Sequence, residues 1–295
     1  MNANELRKQI TQTIVESLAS GTIPFWKRPW TNDPNCGAPV NIVSHHAYKG
    51  INPLLLTIAS IKNGFVSRYW ASYKQWRSMG GQVRKGSKGT IIVFYRTIEK
   101  ESEQGDEKSK RFFVLRYYTL FNLDQVDGAT VDNYRPGQSN GTEPAPADWT
   151  KVADEVIAAT GADIRYGGNR AFFSPSEGYI QVPARQQFTE AKNFYGVLFH
   201  ELSHWSCPTL EIKGEYAFEE LVAELTSAFI SWQLGIPQSD DLTNVKAYLA
   251  SWLQGMQNDP KWIFQASAAA SRSADFILAF SQKAQAEPPP EAEAA

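Results

Sequence analysis

His200-Glu201-Leu202-Ser203-His204 follows an apolar run, residues 191–199, that predicts the first half of a helix. Two histidines four residues apart project from one face of a helix, one turn above the other, so both imidazoles can bind one metal ion. The glutamate directly after the first histidine can act as a general base toward a water molecule at that ion. The chain contains only 4 histidines, so the spacing is improbable by chance and predicts a metal site of the catalytic kind.

A third protein ligand is expected, because catalytic zinc sites usually take three ligands from the protein and leave the fourth position to water. No histidine follows His204, so a carboxylate is the natural candidate. The downstream segment 215–230 has the apolar periodicity of a helix and carries Glu220 and Glu224 one turn apart on a single face. That face borders the apolar stripe, where acidic side chains need a buried partner.

Two assignments of these acids are compatible with their spacing. In the first, Glu220 is the third ligand and Glu224 orients a ligating histidine through its second ring nitrogen. In the second, the two acids exchange these roles. The segment Glu220-Leu221-Val222-Ala223-Glu224 resembles the E-x-x-A-acid signature of several gluzincin families, in which the first acid binds the metal, so we favour the first assignment. Two imidazoles and one carboxylate suit one divalent ion, with Zn²⁺ preferred and Mn²⁺ or iron as alternatives.

Composition narrows the class of protein. With 42% hydrophobic residues among 295, the chain can bury one large core or two ordinary ones. No apolar run approaches the roughly 18 residues that span a bilayer, and the polar N-terminus does not resemble a signal peptide. Cys36 and Cys207 lie far apart and indicate no disulfide framework. We therefore expect a cytoplasmic protein that has no membrane partner.

Charge and composition divide the chain into two predicted domains, 1–130 and 149–285. Residues 1–130 contain 18 Lys and Arg against 10 Asp and Glu, so the rest of the chain is acidic although the net charge is only -2. The segment 131–148 is rich in Gly, Pro, Ser and Asn, has no apolar periodicity, and predicts a flexible linker. Residues 286–295 are only Ala, Pro and Glu and predict a disordered tail.

Both predicted domains combine helices with strands, which indicates an α+β fold. In the first domain the predicted helices are 5–19, 53–62 and 73–79, and the predicted strands are 82–86, 90–95 and 112–118. In the second domain we predict a helix at 151–160 and strands at 171–173 and 178–183. These elements precede the helices that carry the histidines and the acids. The second domain is thus expected to be mostly helical with a small β-sheet. An edge strand beside the metal-bearing helix could bind an extended peptide.

Aromatic and cationic residues are interleaved in several clusters of the basic half. Single-stranded nucleic acid is bound by this combination, because bases stack on aromatic faces and phosphates pair with cations, largely without sequence preference. For any single aromatic residue, the alternative is an ordinary core position beside basic side chains that extend to the surface. For the group, the charge asymmetry favours binding of single-stranded DNA (ssDNA). The candidate contacts are Trp26, Lys27, Arg28, Trp30, Lys49, Arg68, Tyr69, Lys74, Trp76, Arg84, Lys85 and Lys88.

Several motifs resemble a known protein family. In the first domain they are Ala47-Tyr48-Lys49-Gly50-Ile51-Asn52-Pro53, Gly80-Gly81-Gln82-Val83-Arg84-Lys85-Gly86 and Phe121-Asn122-Leu123-Asp124-Gln125. In the second they are Tyr166-Gly167-Gly168, residues 200–205 and residues 219–225. The first set is similar to the N-terminal ssDNA-binding domain of ArdC-type antirestriction proteins, which is related to one part of TraC primases. The second set looks like the zincin-like metallopeptidase domain that is joined to it in that family.

This resemblance implies an N-terminal α+β ssDNA-binding domain and a C-terminal, mostly helical, gluzincin-type domain. It further implies that the protein protects incoming plasmid DNA from restriction during conjugation, in a bacterial host or recipient cell. The implied protein partner is a restriction enzyme or a DNA-bound protein. DNA-dependent proteases of similar fold, such as Spartan, use a third histidine, whereas this chain must use a carboxylate.

Two functions are open at this point. In the first, the protein is a DNA-binding metallopeptidase in which Glu201 activates water against a scissile carbonyl group. In the second, the protein is not an enzyme: it shields ssDNA or antagonises restriction enzymes, and its metal site is structural or vestigial.

Overall fold

The structure is a computed structural model that describes residues 2–20, 24–27, 35–100, 110–137, 148–239 and 241–286. Helices and strands are mixed in both halves, which confirms the predicted α+β fold of two domains. None of the helices in these ranges combines the length and the hydropathy that a membrane span requires.

The N-terminal domain is built around a four-stranded sheet. Its helices are α1 (Ala3–Ala19), α2 (Asn52–Asn63), α3 (Tyr73–Ser78) and α4 (Ala129–Asp132), and its strands are β1 (Val40–Asn41), β2 (Tyr69–Ser72), β3 (Gln82–Val83), β4 (Thr90–Lys100), β5 (Lys110–Asn122) and β6 (Val126–Asp127). The sheet order is β1-β2-β5-β4, and β3 pairs separately with β6. The predicted strands 90–95 and 112–118 are confirmed as parts of β4 and β5, but the long antiparallel β4–β5 ladder extends well beyond them. The short strands β1, β2 and β6 have too few residues to show a period of two in the sequence.

The C-terminal domain places a small sheet beside a group of helices. Its elements are α5 (Trp149–Ala159), β7 (Asp163–Tyr166), β8 (Phe172–Ser174), β9 (Tyr179–Val182), α6 (Ala191–Ser206), α7 (Tyr216–Leu234), α8 (Thr243–Asn258) and α9 (Trp262–Ala286). Strand β9 lies between β7, which is parallel to it, and β8, which is antiparallel. Strand β8 is therefore an edge strand, and it packs against α6. Strand β7 is not among the predicted strands, and none of its four residues is buried.

Small hydroxyl side chains hold α6, α7 and α9 close together behind the histidines. Ser203 Oγ on α6 donates to Thr226 Oγ1 on α7 at 3.0 Å. Ser206 Oγ and Ser273 Oγ on α9 lie 2.7 Å apart, and both are buried. Because these side chains are short, the helices approach closely while each of these four hydroxyl groups keeps a hydrogen-bond partner. The two helices that carry the histidines and the acids are therefore fixed relative to each other.

The first helix packs against the other half of the chain. Leu6, Ile14 and Leu18 of α1 are buried in a core that also contains residues of the C-terminal domain, and α1 contacts α8. Thr11 Oγ1 donates to the carbonyl oxygen of Pro260 at 2.9 Å. The prediction that residues 1–130 form one domain stays a prediction, but α1 depends for its burial on residues of the predicted second domain.

Part of the predicted linker is folded. Val131 is fully buried, and the ring of Tyr134 packs edge-on against Tyr69 at a centroid distance of 5.4 Å. Arg135 Nη2 donates to the carbonyl oxygen of Val126 at 2.6 Å. Residues 131–137 are thus held on the N-terminal domain, because Val131 and Tyr134 supply apolar anchors in a segment of polar composition. The rest of the predicted linker and the predicted tail lie outside the described residues, apart from Asp148 and Ala286.

Candidate metal centre and nucleic-acid interface

Two facing helices bring together the two histidines and the first acid. His200 Nε2 and His204 Nε2 on α6 lie 3.2 Å apart. Glu220 on α7 places one carboxylate oxygen 3.5 Å from His200 Nε2 and the other 3.7 Å from His204 Nε2. The three donor atoms all lie within 4.8 Å of one another. Donors that share one tetrahedral ion at about 2.0–2.2 Å are separated by similar distances, so this set fits a single divalent cation.

Glu224 faces the opposite side of the His200 ring. One of its carboxylate oxygens lies 3.5 Å from His200 Nδ1, the nitrogen that points away from Glu220. The other lies 3.3 Å from Lys27 Nζ, and Lys27 also donates to the carbonyl oxygen of Asp241 at 2.9 Å. Glu224 and Lys27 are almost completely buried, with side chains 7% and 10% exposed. This geometry favours Glu220 as the ligand and Glu224 as the residue that orients His200.

The charges of this cluster favour the binding of a cation. Burial lowers the pKa of His200, but the carboxylates of Glu220 and Glu224 outweigh that effect and raise the pKa to about 10. Burial and the charge on His200 lower the pKa of His204 to about 4. Burial raises the pKa of Glu224, but His200 and Lys27 outweigh it and lower the pKa to about 2. The carboxylates of Glu220 and Glu224 thus favour a positive charge at His200, and a divalent cation between the same groups would be attracted more strongly than a proton.

Glu201 has the position of a proton carrier. Its side chain is buried, and burial raises the pKa of its carboxyl group. The carboxylate accepts a hydrogen bond from the backbone N–H of Phe173 on the edge strand β8. Glu201 is adjacent in sequence to His200. Helix α6 therefore presents a potential general base and a potential metal ligand at one end of the same cleft.

The cleft in front of the cluster has a volume of about 480 Å³. The edge strand β8 contributes Phe172 and Phe173 to one wall, and the hydroxyl groups of Tyr216 and Tyr248 lie 3.0 Å apart at another. Cys207 also lines the cleft but is not part of the donor cluster, and burial raises the pKa of its thiol to about 12. The cleft can therefore accept an extended peptide along β8 with a backbone carbonyl near the histidines.

Three of the predicted DNA contacts are wrong because their side chains are buried. Trp26 is 0% exposed and packs against Trp252 at a ring-centroid distance of 6.1 Å. Trp76 is also 0% exposed and donates through Nε1 to the carbonyl oxygen of Phe121 at 3.0 Å. Lys27 is the buried partner of Glu224. None of the three can reach a nucleic acid.

Other predicted contacts are engaged within the protein or remain available. Lys49 Nζ lies 2.6 Å from a carboxylate oxygen of Asp275, in an ion pair between the two domains. Arg68 is half-buried and donates to the carbonyl oxygen of Ala38 at 3.3 Å, and Tyr69 is half-buried against Tyr134. Arg28 and Trp30 lie outside the described residues. The predicted contacts that are exposed to solvent are Lys49, which is nevertheless paired with Asp275, and Lys74, Arg84, Lys85 and Lys88, of which Arg84 pairs with Asp127 at 2.9 Å.

The structure contains an aromatic surface that the sequence did not reveal. A groove of about 790 Å³ crosses the β4–β5 ladder, and its lining includes the exposed side chains of Phe94, Arg116 and Tyr118. The sequence signal was present in the run Arg116-Tyr117-Tyr118. That run predicts a strand but does not show that the strand is exposed, because aromatic residues are also typical of buried strand positions.

Known proteins match the chain along most of its length. Residues 4–121 match the family described as the N-terminal domain of anti-restriction factor ArdC, and residues 151–269 match the zincin-like metallopeptidase family. The chain is 32% identical to the uncharacterised protein y4eC of Sinorhizobium fredii, over 95% of this chain and 94% of that protein. It is 33% identical to the DNA primase TraC of Escherichia coli over 94% of this chain, which spans only 27% of TraC.

Solved structures match both domains together. The metal-free crystal structure of antirestriction protein ArdC from plasmid R388 has a TM-score of 0.77 at 34% identity, covering 95% of this chain and 98% of that one. The Mn(II)-bound structure of that ArdC protein has a TM-score of 0.74 at 34% identity, covering 94% and 98%.

The two acids on α7 are expected to differ in their effect on metal binding. Glu220→Gln removes an anionic donor and should weaken binding of Zn²⁺ and Mn²⁺ more than 100-fold, whereas Glu224→Gln removes only the partner of His200 Nδ1 and should weaken it about 10- to 100-fold. Isothermal titration calorimetry on chelator-treated protein measures both. Glu219→Gln, on the same helix but outside the donor cluster, is the matched control. A larger loss in Glu224→Gln than in Glu220→Gln would support the exchanged assignment.

Lys27 is expected to affect metal binding from the other half of the chain. Lys27→Met keeps the length of the side chain but leaves the Glu224 carboxylate buried with one charged partner fewer, so Glu224 is less well fixed against His200. We expect metal binding to weaken about 10-fold. Lys27→Arg should retain most of the affinity. In a Glu224→Gln background, Lys27→Met should have little further effect, and an equal loss in both backgrounds would show that Lys27 does not act through Glu224.

Proposed function

This chain belongs to the ArdC antirestriction family, and on that premise we propose that it binds ssDNA and hydrolyses a peptide bond of a DNA-associated protein. The substrate that fits this activity is a restriction enzyme or another DNA-bound protein. Its action protects incoming plasmid DNA during conjugation, in the cytoplasm of the bacterial host or recipient cell. The observation that carries the peptidase part is the position of Glu201, buried between the His200–His204–Glu220 cluster and an edge strand.

The residues of the cleft have distinct parts in this reaction. His200, His204 and Glu220 hold a divalent ion, which supplies a Lewis acid that polarises the scissile carbonyl group. The extended substrate pairs with β8, so that its backbone is fixed next to α6. Glu201 accepts a proton from the attacking water and delivers it to the leaving amine nitrogen, and a carboxyl group of raised pKa suits both transfers.

The donor set and one relative support different identities for the ion. Two imidazoles and one carboxylate are the ligands of many catalytic zinc sites, which supports Zn²⁺. ArdC from plasmid R388 has a Mn(II)-bound structure, which supports Mn²⁺ as the alternative. In both cases the same three side chains bind the ion, and Glu224 orients His200 from behind.

A second function is favoured by the separation of the two surfaces. The aromatic groove is lined by residues between 41 and 120, and the cleft by residues between 171 and 248, so no described residue lines both. An N-terminal domain that binds ssDNA could therefore shield it, or antagonise restriction enzymes, without hydrolysis. In that case the metal centre is structural.

Glu201→Gln separates these functions. The substitution should leave the affinities for divalent metal and for ssDNA unchanged, because Glu201 belongs to neither binding set, but it removes the proton carrier, which is worth about 10²- to 10⁴-fold in rate. Plasmid transfer into a restricting recipient should then fall to the level of a plasmid without this gene, while transfer into a non-restricting recipient should not change. Glu219→Gln is the control. Full protection by Glu201→Gln would contradict the peptidase and favour shielding.

A further inference from the structure

We propose that ssDNA is bound in the groove across β4 and β5, with bases stacked on Phe94 and Tyr118 and a phosphate paired with Arg116. The proposal rests on the proposed binding of ssDNA and names its site. The proposed contacts are exposed to solvent, unlike the predicted contacts Trp26 and Trp76, which are buried.

The register of the ladder gathers these side chains on one face. Ile92 pairs with Tyr118, and Phe94 pairs with Arg116, so the four residues belong to two neighbouring cross-strand pairs. Side chains two residues apart on a strand point to the same face, which places all four together. Ile92 is buried and forms the floor with Leu120, while the other three rise from it.

Two aromatic rings of the groove are exposed to solvent. Phe94 and Tyr118 are 46% and 56% exposed. The rings of Phe94 and Tyr118 meet edge-on at a centroid distance of 5.3 Å, so each ring is held by the other. Adjacent exposed aromatic residues on a rigid sheet are typical of a binding surface, and ordered rings lose little conformational freedom when a base stacks on them.

The charge of the groove fits an anion. Arg116 is exposed, and none of the described residues that line the groove is acidic. Exposed Lys74 lies on α3 between Ser72 and Gln75 in the sequence, and both of these residues line the groove. A strand that crosses the groove would therefore meet aromatic faces along its bases and cations beside its phosphates.

Unpaired bases are required by this arrangement. In a duplex the faces of the bases are stacked on one another, so only a single strand can offer them to Phe94 and Tyr118. The exposed cations Lys85 and Lys88 form the rival surface. They lie in the turn before β4 and could contact only phosphates, which a duplex and a single strand both present.

The test compares the two surfaces in the full-length protein. Fluorescence anisotropy measures binding of a labelled oligo-dT strand and of a duplex across a salt series. Each stacked base is worth about 1–3 kcal/mol, or about 5- to 150-fold in Kd. We expect Tyr118→Ala to raise the Kd for ssDNA about 10-fold and Phe94→Ala with Tyr118→Ala about 100-fold, while Tyr118→Phe binds as the wild type. Arg116→Gln should lower the slope of log K against log salt by about 0.7, the contribution of one phosphate.

The control variant is Lys85→Gln with Lys88→Gln, which should weaken ssDNA and duplex binding equally and by less. If the wild type does not bind ssDNA, the proposed DNA-binding function fails and this site fails with it. If the wild type binds and the Phe94 and Tyr118 variants bind equally well, the groove is overturned while ssDNA binding stands.

Photocrosslinking of wild-type protein to an iodouridine oligonucleotide is the second measurement. The crosslinked peptide should contain Tyr118, and one that contains Lys85 and Lys88 instead would overturn the site.

Discussion

The carboxylate of Glu224 is buried between an imidazole and an ammonium group, and the two halves of the chain meet there. It lies 3.5 Å from His200 Nδ1 and 3.3 Å from Lys27 Nζ. A buried charge that loses one of its partners is strongly destabilising, so each of these side chains fixes the others. The orientation of the His200 ring thus depends on a lysine that is more than 170 residues away in the sequence.

Through this contact the N-terminal half of the chain supports the metal centre of the C-terminal domain. Lys27 can reach Glu224 because Trp26 packs against Trp252 and α1 packs against α8. The core continues into the N-terminal sheet through Val93 and Leu115, which lie on the face of the β4–β5 ladder opposite the groove. A single packed body therefore carries the groove on one side and the cleft on another, and neither surface is an isolated module.

The metal cluster could be predicted from the sequence because it depends on local spacing. Residues four apart on a helix share a face wherever the helix packs, so His200 with His204, and Glu220 with Glu224, follow from helical periodicity alone. The pairing of the two helices followed from the need of buried acids for a partner. Lys27 could not be predicted in the same way, since its contact depends on how distant segments fold against each other.

No comparable local rule allows DNA contacts to be predicted from the sequence. Interleaved aromatic and basic residues occur both on binding surfaces and at the edge of a core, and the sequence does not show which face is covered. Trp26 and Trp76 are core residues, while the run Arg116-Tyr117-Tyr118 is exposed to solvent. The exposure of a strand residue depends on tertiary packing. The alternation of side chains along a strand does not show which face other elements cover.

Anomalous diffraction from crystals of this protein grown with Mn²⁺ or Zn²⁺ would locate the ion and its ligands. We expect a single strong peak in the cleft, within about 2.0–2.3 Å of His200 Nε2, His204 Nε2 and a carboxylate oxygen of Glu220. Glu224 should remain against His200 Nδ1 and Lys27, without contact to the ion. A peak bound by Glu224, or no peak at the histidines, would contradict this expectation.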